Sequence, residues 1–175
     1  MLRASQQNAL HKSVMMRVLI GILDDSFLSS NLFFKGGSCA SMLGYLDRFS
    51  VDLDFDVKDK SFSKEIAQKM EGIFEKLNLI IKDSSKNTLQ YYLKYEAPPN
   101  VRNTLKIDAV EEPYQNNKYE TLLLPEINRY AQCQTKDTLF ANKMVAFVER
   151  FEKTGSLAGR DLYDIYHFLL QGFEQ

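Results

Sequence analysis

Three aspartates, Asp52, Asp54 and Asp56, alternate with Val51, Leu53, Phe55 and Val57. Strict alternation marks a strand with one buried face, so the carboxylates share the other face at intervals of about 6–7 Å. Like charges at that spacing raise one another's pKa unless a cation sits among them. Asp52 and Asp54 are the candidate pair for holding a hard divalent cation such as Mg2+ through oxygen. Asp108 alternates with Leu105, Ile107 and Ala109 in TLKIDAV, and it joins that face if the two strands are neighbours. Asp56 is set aside as a carboxylate facing solvent. Upstream, FKGGS turns a short apolar run into a helix, with Gly36, Gly37 and Ser38 at the turn. Backbone N–H groups at a helix start favour an anion, and paired glycines let a phosphate approach the main chain. A Gly-Gly pair also serves any tight turn, and an acidic strand can guard a sheet edge. Together, however, three carboxylates and a phosphate-holding turn have the layout of a two-metal phosphoryl-transfer site. One ion would hold nucleotide phosphates and the other would activate an acceptor hydroxyl, with Asp108 as its ligand or as the base.

The elements that must position these groups follow from hydrophobic spacing. Residues 5–28 carry a helical stripe of Leu10, Val14, Val18 and Ile22, and residues 31–34 read as a buried strand. Residues 39–46 suit a short helix before the acidic strand. A helix is expected over 63–77, with Ile66, Met70, Ile73 or Phe74, and Leu77 on one side. Residues 77–84, 89–97 and 104–110 read as strands, the first two joined as a hairpin through SSKN. Beyond residue 110 come a polar loop, EEPYQNNK, and a short apolar segment, YETLLLPE. From Asp137 onward two helices are joined around TGSLAG. The expectation is an α+β fold. A mixed sheet over residues 30–110 is flanked by helices, with a core to residue 125 and a helical C-terminal subdomain over 126–175.

Composition narrows the function classes. Hydrophobic residues make up 45% of the 175 residues, enough for a real core, while a net charge of −1 gives no footprint for nonspecific nucleic-acid binding. Cys39 and Cys133 are too few and too far apart for a disulfide framework or a metal motif, so two reduced thiols are expected. The apolar run at 14–23 is broken by Arg17 and too short for a bilayer. A soluble, cytoplasmic protein is expected. Among the aromatic residues, YYLKY at 91–95 could offer a ring to stack on a base. His167 reads as an interhelical hydrogen bond rather than a base.

The stretch FKGGSCASMLGYLDRFSVDLDFDV resembles the first motif of the polymerase-beta-like nucleotidyltransferase superfamily, Gly-Gly-Ser followed by Asp-x-Asp. Its Arg-Phe-Ser-x-Asp-x-Asp-Phe form is similar to the AbiEii/AbiGii toxin family. That family also carries a later strand Asp, a helix with Lys and a terminal Arg, and an Arg-Asp-x-x-Asp helix. Asp108, Lys143 with Arg150, and Arg160, Asp161 and Asp164 match these in order. The acidic residues that relatives often place before the helix lysine stand here as Thr138 and Asn142. The resemblance implies a Mg-dependent enzyme that transfers NMP from an NTP to an acceptor, an RNA or tRNA 3′ end or a protein. It also implies the toxin half of a toxin–antitoxin or abortive-infection system, with a cognate antitoxin as partner. The expected catalytic and metal residues are Asp52, Asp54 and Asp108. The expected nucleotide contacts are Gly36, Gly37, Ser38, Arg48, Lys143 and Asp161. For Arg48 the competing role is an ion pair that holds the acidic strand. For Lys143 it is a solvated basic stripe, and for Asp161 an acid favoured at a helix start. The alternative function is a noncatalytic module of the same fold that binds a protein or RNA.

Overall fold

A computed structural model describes residues 6–85 and 88–172 of the chain. Ser5, at the start of the first expected helix, and Lys86 and Asn87 of the expected hairpin turn lie outside the described residues.

The alternating acidic stretch forms the strand at the centre of the molecule. β1 (Leu32–Lys35), β2 (Asp52–Val57), β3 (Ile80–Ser84), β4 (Leu89–Lys94), β5 (Thr104–Val110), β6 (Tyr119–Leu124) and β7 (Arg129–Gln134) build one mixed sheet. Their order is β3-β4-β5-β2-β1-β7-β6. β2 runs antiparallel to β1 and parallel to β5. Leu53, Phe55 and Val57 point into the core and are buried. Phe55 packs on Phe34 of β1 with ring centroids 5.5 Å apart. Complete burial of such a side chain contributes about 1.5–3 kcal/mol, which fixes which face of β2 the aspartates must take.

The helices are α1 (Gln6–Asp24), α2 (Ser26–Asn31), α3 (Gly36–Met42), α4 (Ser63–Lys76), α5 (Lys136–Thr154) and α6 (Gly159–Leu170). The expected first helix is two. Asp25 interrupts it by capping α2, its carboxylate accepting the Phe27 and Leu28 N–H groups at 3.0 Å. The stripe of α1 packs against β2, β5 and β7, with Val18, Leu19 and Ile22 fully buried. α4 turns Ile66, Met70 and Phe74 inward, as its spacing predicts. α3 starts at Gly36, so the glycine pair lies in its first turn rather than ahead of it.

The largest departure lies after residue 110. The segment expected to be a loop, a short apolar stretch and then helix contains the β6–β7 hairpin, turning through Asn128 at φ 51°. β7 pairs parallel with β1, so the sheet extends to Gln134, past the boundary expected at 125. Ala131 and Cys133 are its buried apolar residues, too small to stand out in a hydropathy pattern. Both cysteines are free and buried, as expected. No helix among the described residues is long and apolar enough to cross a membrane.

Candidate active site

The parallel pairing of β2 and β5 sets Asp54 directly opposite Asp108, and Asp52 opposite Lys106. The two strands expected to share carboxylates are therefore neighbours, with Asp52, Asp54 and Asp108 on one face. Among the described residues, the carboxyl groups of Asp52 and Asp54 meet no hydrogen-bond or ion-pair partner. Asp108 does: Lys106 Nζ donates to it at 2.8 Å and Gln90 Nε2 at 2.9 Å. Asp54 is pushed up to about 6, first by burial and then by Asp52, with Lys106 and Lys35 opposing and Asp108 adding to the rise. Lys106 is raised because Asp108 outweighs the effect of its burial.

The glycines answer to these carboxylates. Gly36 adopts φ 75°, and a Cβ there would collide with the Asp54 carboxylate. A Cβ on Gly37 would meet Ser50 Oγ at 2.8 Å and Arg48 Nη2 at 3.4 Å. Close approach is thus used first by the protein's own side chains. The hydroxyl of Ser38 is buried and donates to the Asp52 carbonyl, pinning the start of β2. Only the backbone of Ser38 remains to meet an anion.

Asp56 corrects the expectation of a solvated carboxylate, because it is fully buried. Lys35 Nζ donates to Oδ1 at 2.6 Å, and Oδ2 accepts Gln134 Nε2 at 2.6 Å, Tyr119 OH at 2.8 Å and Asn117 Nδ2 at 3.1 Å. Burial is tolerated because both oxygens find donors and the charge finds a lysine. The Tyr119 hydroxyl is pushed up, by burial first and then by Asp56.

A second cluster ties the C-terminal helices to the sheet. Asp164 is fully buried and accepts Arg48 Nε and Nη2 at 2.5 Å each, with Lys143 Nζ at 2.9 Å. Asp161, also buried, pairs with Arg150 and lies 3.4 Å from Lys143. The guanidinium of Arg48 is therefore committed to α6 and not to the acidic strand. Lys143 and Arg150, on one face of α5, are drawn inward to α6 instead of forming a solvated stripe. Burial pushes the Asp164 carboxyl up, but the hydrogen bonds and charges of Arg48 and Lys143 outweigh it and hold it below the usual carboxylate range. His167 makes no interhelical bond: its ring stacks on Tyr163 of its own helix, with Nε2 4.0 Å from Asp47. In YYLKY, Tyr91 and Tyr95 are core residues, leaving Tyr92 half-buried and in register with Lys106.

Between these clusters lies a cavity of about 450 Å3. Lys35, Gly36, Gly37, Asp54 and Lys143 line it together with Asn117 and Asn142. Apolar walls come from Val110 and Pro113 after β5 and from Leu139, Val145 and Ala146 of α5. The volume and the mostly apolar lining with few polar groups suit a nucleotide-sized ligand. Sequence reasoning missed Lys35, Lys106, Asn117, Gln134 and Gln90. The alternation of Lys106 with Asp108 was a usable signal for one of them, whereas the others depend on strand order.

No group of three or more His, Cys, Asp and Glu among the described residues is gathered tightly enough to hold a metal by itself. Mg2+ commonly takes one or two carboxylates and leaves its remaining positions to water and phosphate. The two unpartnered carboxylates, with Asp54 raised by burial and then by Asp52, fit that pattern.

No curated protein sequence matches the chain. Solved structures that share its fold include the following three. A candidate nucleotidyltransferase from H. pylori superposes with a TM-score of 0.64 at 22% identity, covering 98% of this chain and 71% of its own. MenT4, a nucleotidyltransferase toxin from Mycobacterium tuberculosis, gives a TM-score of 0.65 at 18% identity over 96% of this chain. This chain spans 60% of the length of MenT4. An antigenic nucleotidyltransferase-like protein from Paracoccidioides brasiliensis gives a TM-score of 0.57 at 12% identity, over 91% of this chain and 78% of its own. Residues 17–175 match the family described as nucleotidyl transferase AbiEii toxin, Type IV TA system. The chain belongs to the AbiEii nucleotidyltransferase toxin family.

Proposed function

We propose that the chain transfers a nucleoside monophosphate from an NTP to an acceptor hydroxyl, at an RNA or tRNA 3′ end or on a protein, as the toxin of a toxin–antitoxin pair. The observation that carries this reading is the juxtaposition of Asp52 and Asp54, both unpartnered, with Asp108 in register beside Asp54 and a nucleotide-sized cavity opening at Asp54. In the reaction the acceptor oxygen attacks the α-phosphorus, one P–O bond forms as the α–β P–O bond breaks, and pyrophosphate leaves. Asp52 and Asp54 would hold Mg2+, which supplies charge neutralisation at the phosphates when bound. Asp108 takes the acceptor proton or completes the ligand set. The backbone of Gly36, Gly37 and Ser38 faces the triphosphate, and Lys143 offsets its charge from the cavity wall. Arg48 and Asp161 act one step removed, by fixing Asp164 and Lys143.

A second reading, a noncatalytic binding module, draws on one observation: Lys106 and Gln90 occupy Asp108. Incubation with each α-labelled NTP and total RNA or protein separates the two. Label is expected on one acceptor with the wild type and none with Asp52→Ala or Asp54→Ala, each checked by circular dichroism. Full labelling by both variants would refute the catalytic assignment. Absence of magnesium-dependent NTP binding by calorimetry would favour the binding module.

A further inference from the structure

The buried Asp56 fixes more than its own strand. A carboxylate paired with Lys35 can only accept hydrogen bonds, so each neighbouring amide must turn its NH2 toward it. Asn117 does so, with Nδ2 3.1 Å from Asp56 Oδ2. Its backbone N–H also donates to the Tyr114 carbonyl at 3.0 Å, closing a turn that holds the residue. The carbonyl oxygen of the Asn117 side chain must then face away, and it accepts Asn142 Nδ2 at 3.1 Å. Asn142 has thereby committed one of its two amide N–H groups to Asn117, which fixes which way the amide faces. Its Oδ1 is left without a partner among the described residues, on a side chain that lines the cavity. The polarity of the whole chain is set at its buried end.

Asn142 shares a stripe of α5 with Val145, Ala146 and Glu149, all lining the same cavity. Glu149, about 10 Å farther along the helix by its seven-residue spacing, is a second acceptor. The Tyr114 hydroxyl, the donor nearest to it, is spent on Glu149 Oε1 at 3.3 Å. Apart from the lysines and the remaining N–H of Asn142, this wall offers acceptors set among apolar side chains.

We propose that Asn142, oriented by Asn117 and Asp56, selects a nucleobase that presents an exocyclic amino group. The inference rests on the nucleotidyltransferase reading and names the substrate class of that site. Cytosine and adenine carry N–H groups that project freely toward Oδ1. Uracil and hypoxanthine replace that amino group with a carbonyl, and the N–H they keep lies beside it, so an oxygen of the base meets an oxygen of the wall. A half-buried acceptor matched to a donor favours the amino base, and the mismatch sets two oxygens against each other.

The test is calorimetric titration of the full chain in magnesium buffer with CTP, UTP, ATP, ITP and inorganic triphosphate. CTP is expected to bind about tenfold or more tightly than UTP, and ATP likewise more tightly than ITP. Asn142→Leu removes the acceptor and should bring both ratios close to one. Asn117→Ala leaves Asn142 in place but frees it to turn either way, so the ratios should also fall. A purely structural role for Asn117 would leave them unchanged. Ratios near one in the wild type, or undiminished ratios in both variants, overturn the proposal. If inorganic triphosphate binds while the four nucleotides are indistinguishable, base selection fails and the nucleotidyltransferase reading stands. If none of the five ligands binds, both fall together.

Discussion

Asp164 is the residue whose loss the structure makes most costly outside the sheet. It is fully buried, and two cations depend on it: Arg48, held by two bonds of 2.5 Å, and Lys143 at 2.9 Å. Asp164→Asn keeps the shape but removes the charge, and it turns an NH2 toward a guanidinium or an ammonium. Removing one partner of a buried ion pair costs about 3–5 kcal/mol. The side chains of Arg48 and Lys143 are 17% and 20% exposed, so water offsets part of this, and about 3 kcal/mol is the expected loss. In a chain of this length each kcal/mol moves the melting midpoint by about 2–4 °C, which gives a drop of roughly 6–12 °C.

The same pair of cations predicts a pH signature. The folded carboxyl of Asp164 titrates below its unfolded value of about 3.9, so its stabilisation is present above that pH and is lost as pH falls through the folded value. Urea unfolding of wild type and Asp164→Asn at pH 7, 5 and 3 should show a gap that is full at pH 7 and 5 and shrinks toward acid. A gap under about 1 kcal/mol at pH 7, or one that does not change with pH, would refute the reasoning.

Two further substitutions probe the carboxylate face. Asp54→Asn removes a charge that burial and Asp52 disfavour. A folded pKa of about 6, above the unfolded value, means stability that is full below about pH 4 and lost as pH rises through 6. In chelator-containing buffer the variant should therefore melt higher than wild type at pH 8 and no higher at pH 4, while transfer assayed separately with magnesium disappears; a lower melting point at pH 8 would contradict the cost of charging Asp54. Gly36→Ala must place a Cβ at φ 75° against the Asp54 carboxylate, so a loss of about 1–2 kcal/mol is expected. The accompanying displacement of Asp54 should cut labelling far more than the lost stability explains, as comparison of melting and transfer rates would show.

What the sequence revealed, and what it hid, has a physical pattern. β2 was legible because apolar residues and aspartates alternate along it without a break, and TLKIDAV alternates in the same way, so that pairing with β5 was the stated condition for Asp108 to join the acidic face. β7 was not legible. Its inward residues, Ala131 and Cys133, bury little area, and its membership of the sheet depends on a parallel pairing with β1 that is remote in sequence. The fate of Asp56 followed from that omission. Gln134 of β7 and Tyr119 of β6 supply two of its four partners, so a reading without the hairpin leaves it in water. Arg48 was expected to meet a nucleotide or the acidic strand, whereas its carboxylate partner lies 116 positions along the chain, beyond the reach of local spacing.

The acidic face also makes an electrostatic argument that no single residue makes. Asp52, Asp54, Asp56 and Asp108 share it, and Lys35 and Lys106 are the cations among them. Both lysines are already engaged, Lys35 at 2.6 Å from Asp56 and Lys106 at 2.8 Å from Asp108. The nearby Arg48 and Lys143 are drawn to the buried Asp164 instead. Two negative charges are therefore left uncompensated, both on the unpartnered pair Asp52 and Asp54, beside a nucleotide-sized cavity. Had the strand been acidic only to protect an edge, it would not lie at the centre of the sheet, and Asp54 would not be held in a setting that lifts it to about 6. The missing charge equals that of one divalent cation, which is the charge the proposed Mg2+ would bring to Asp52 and Asp54.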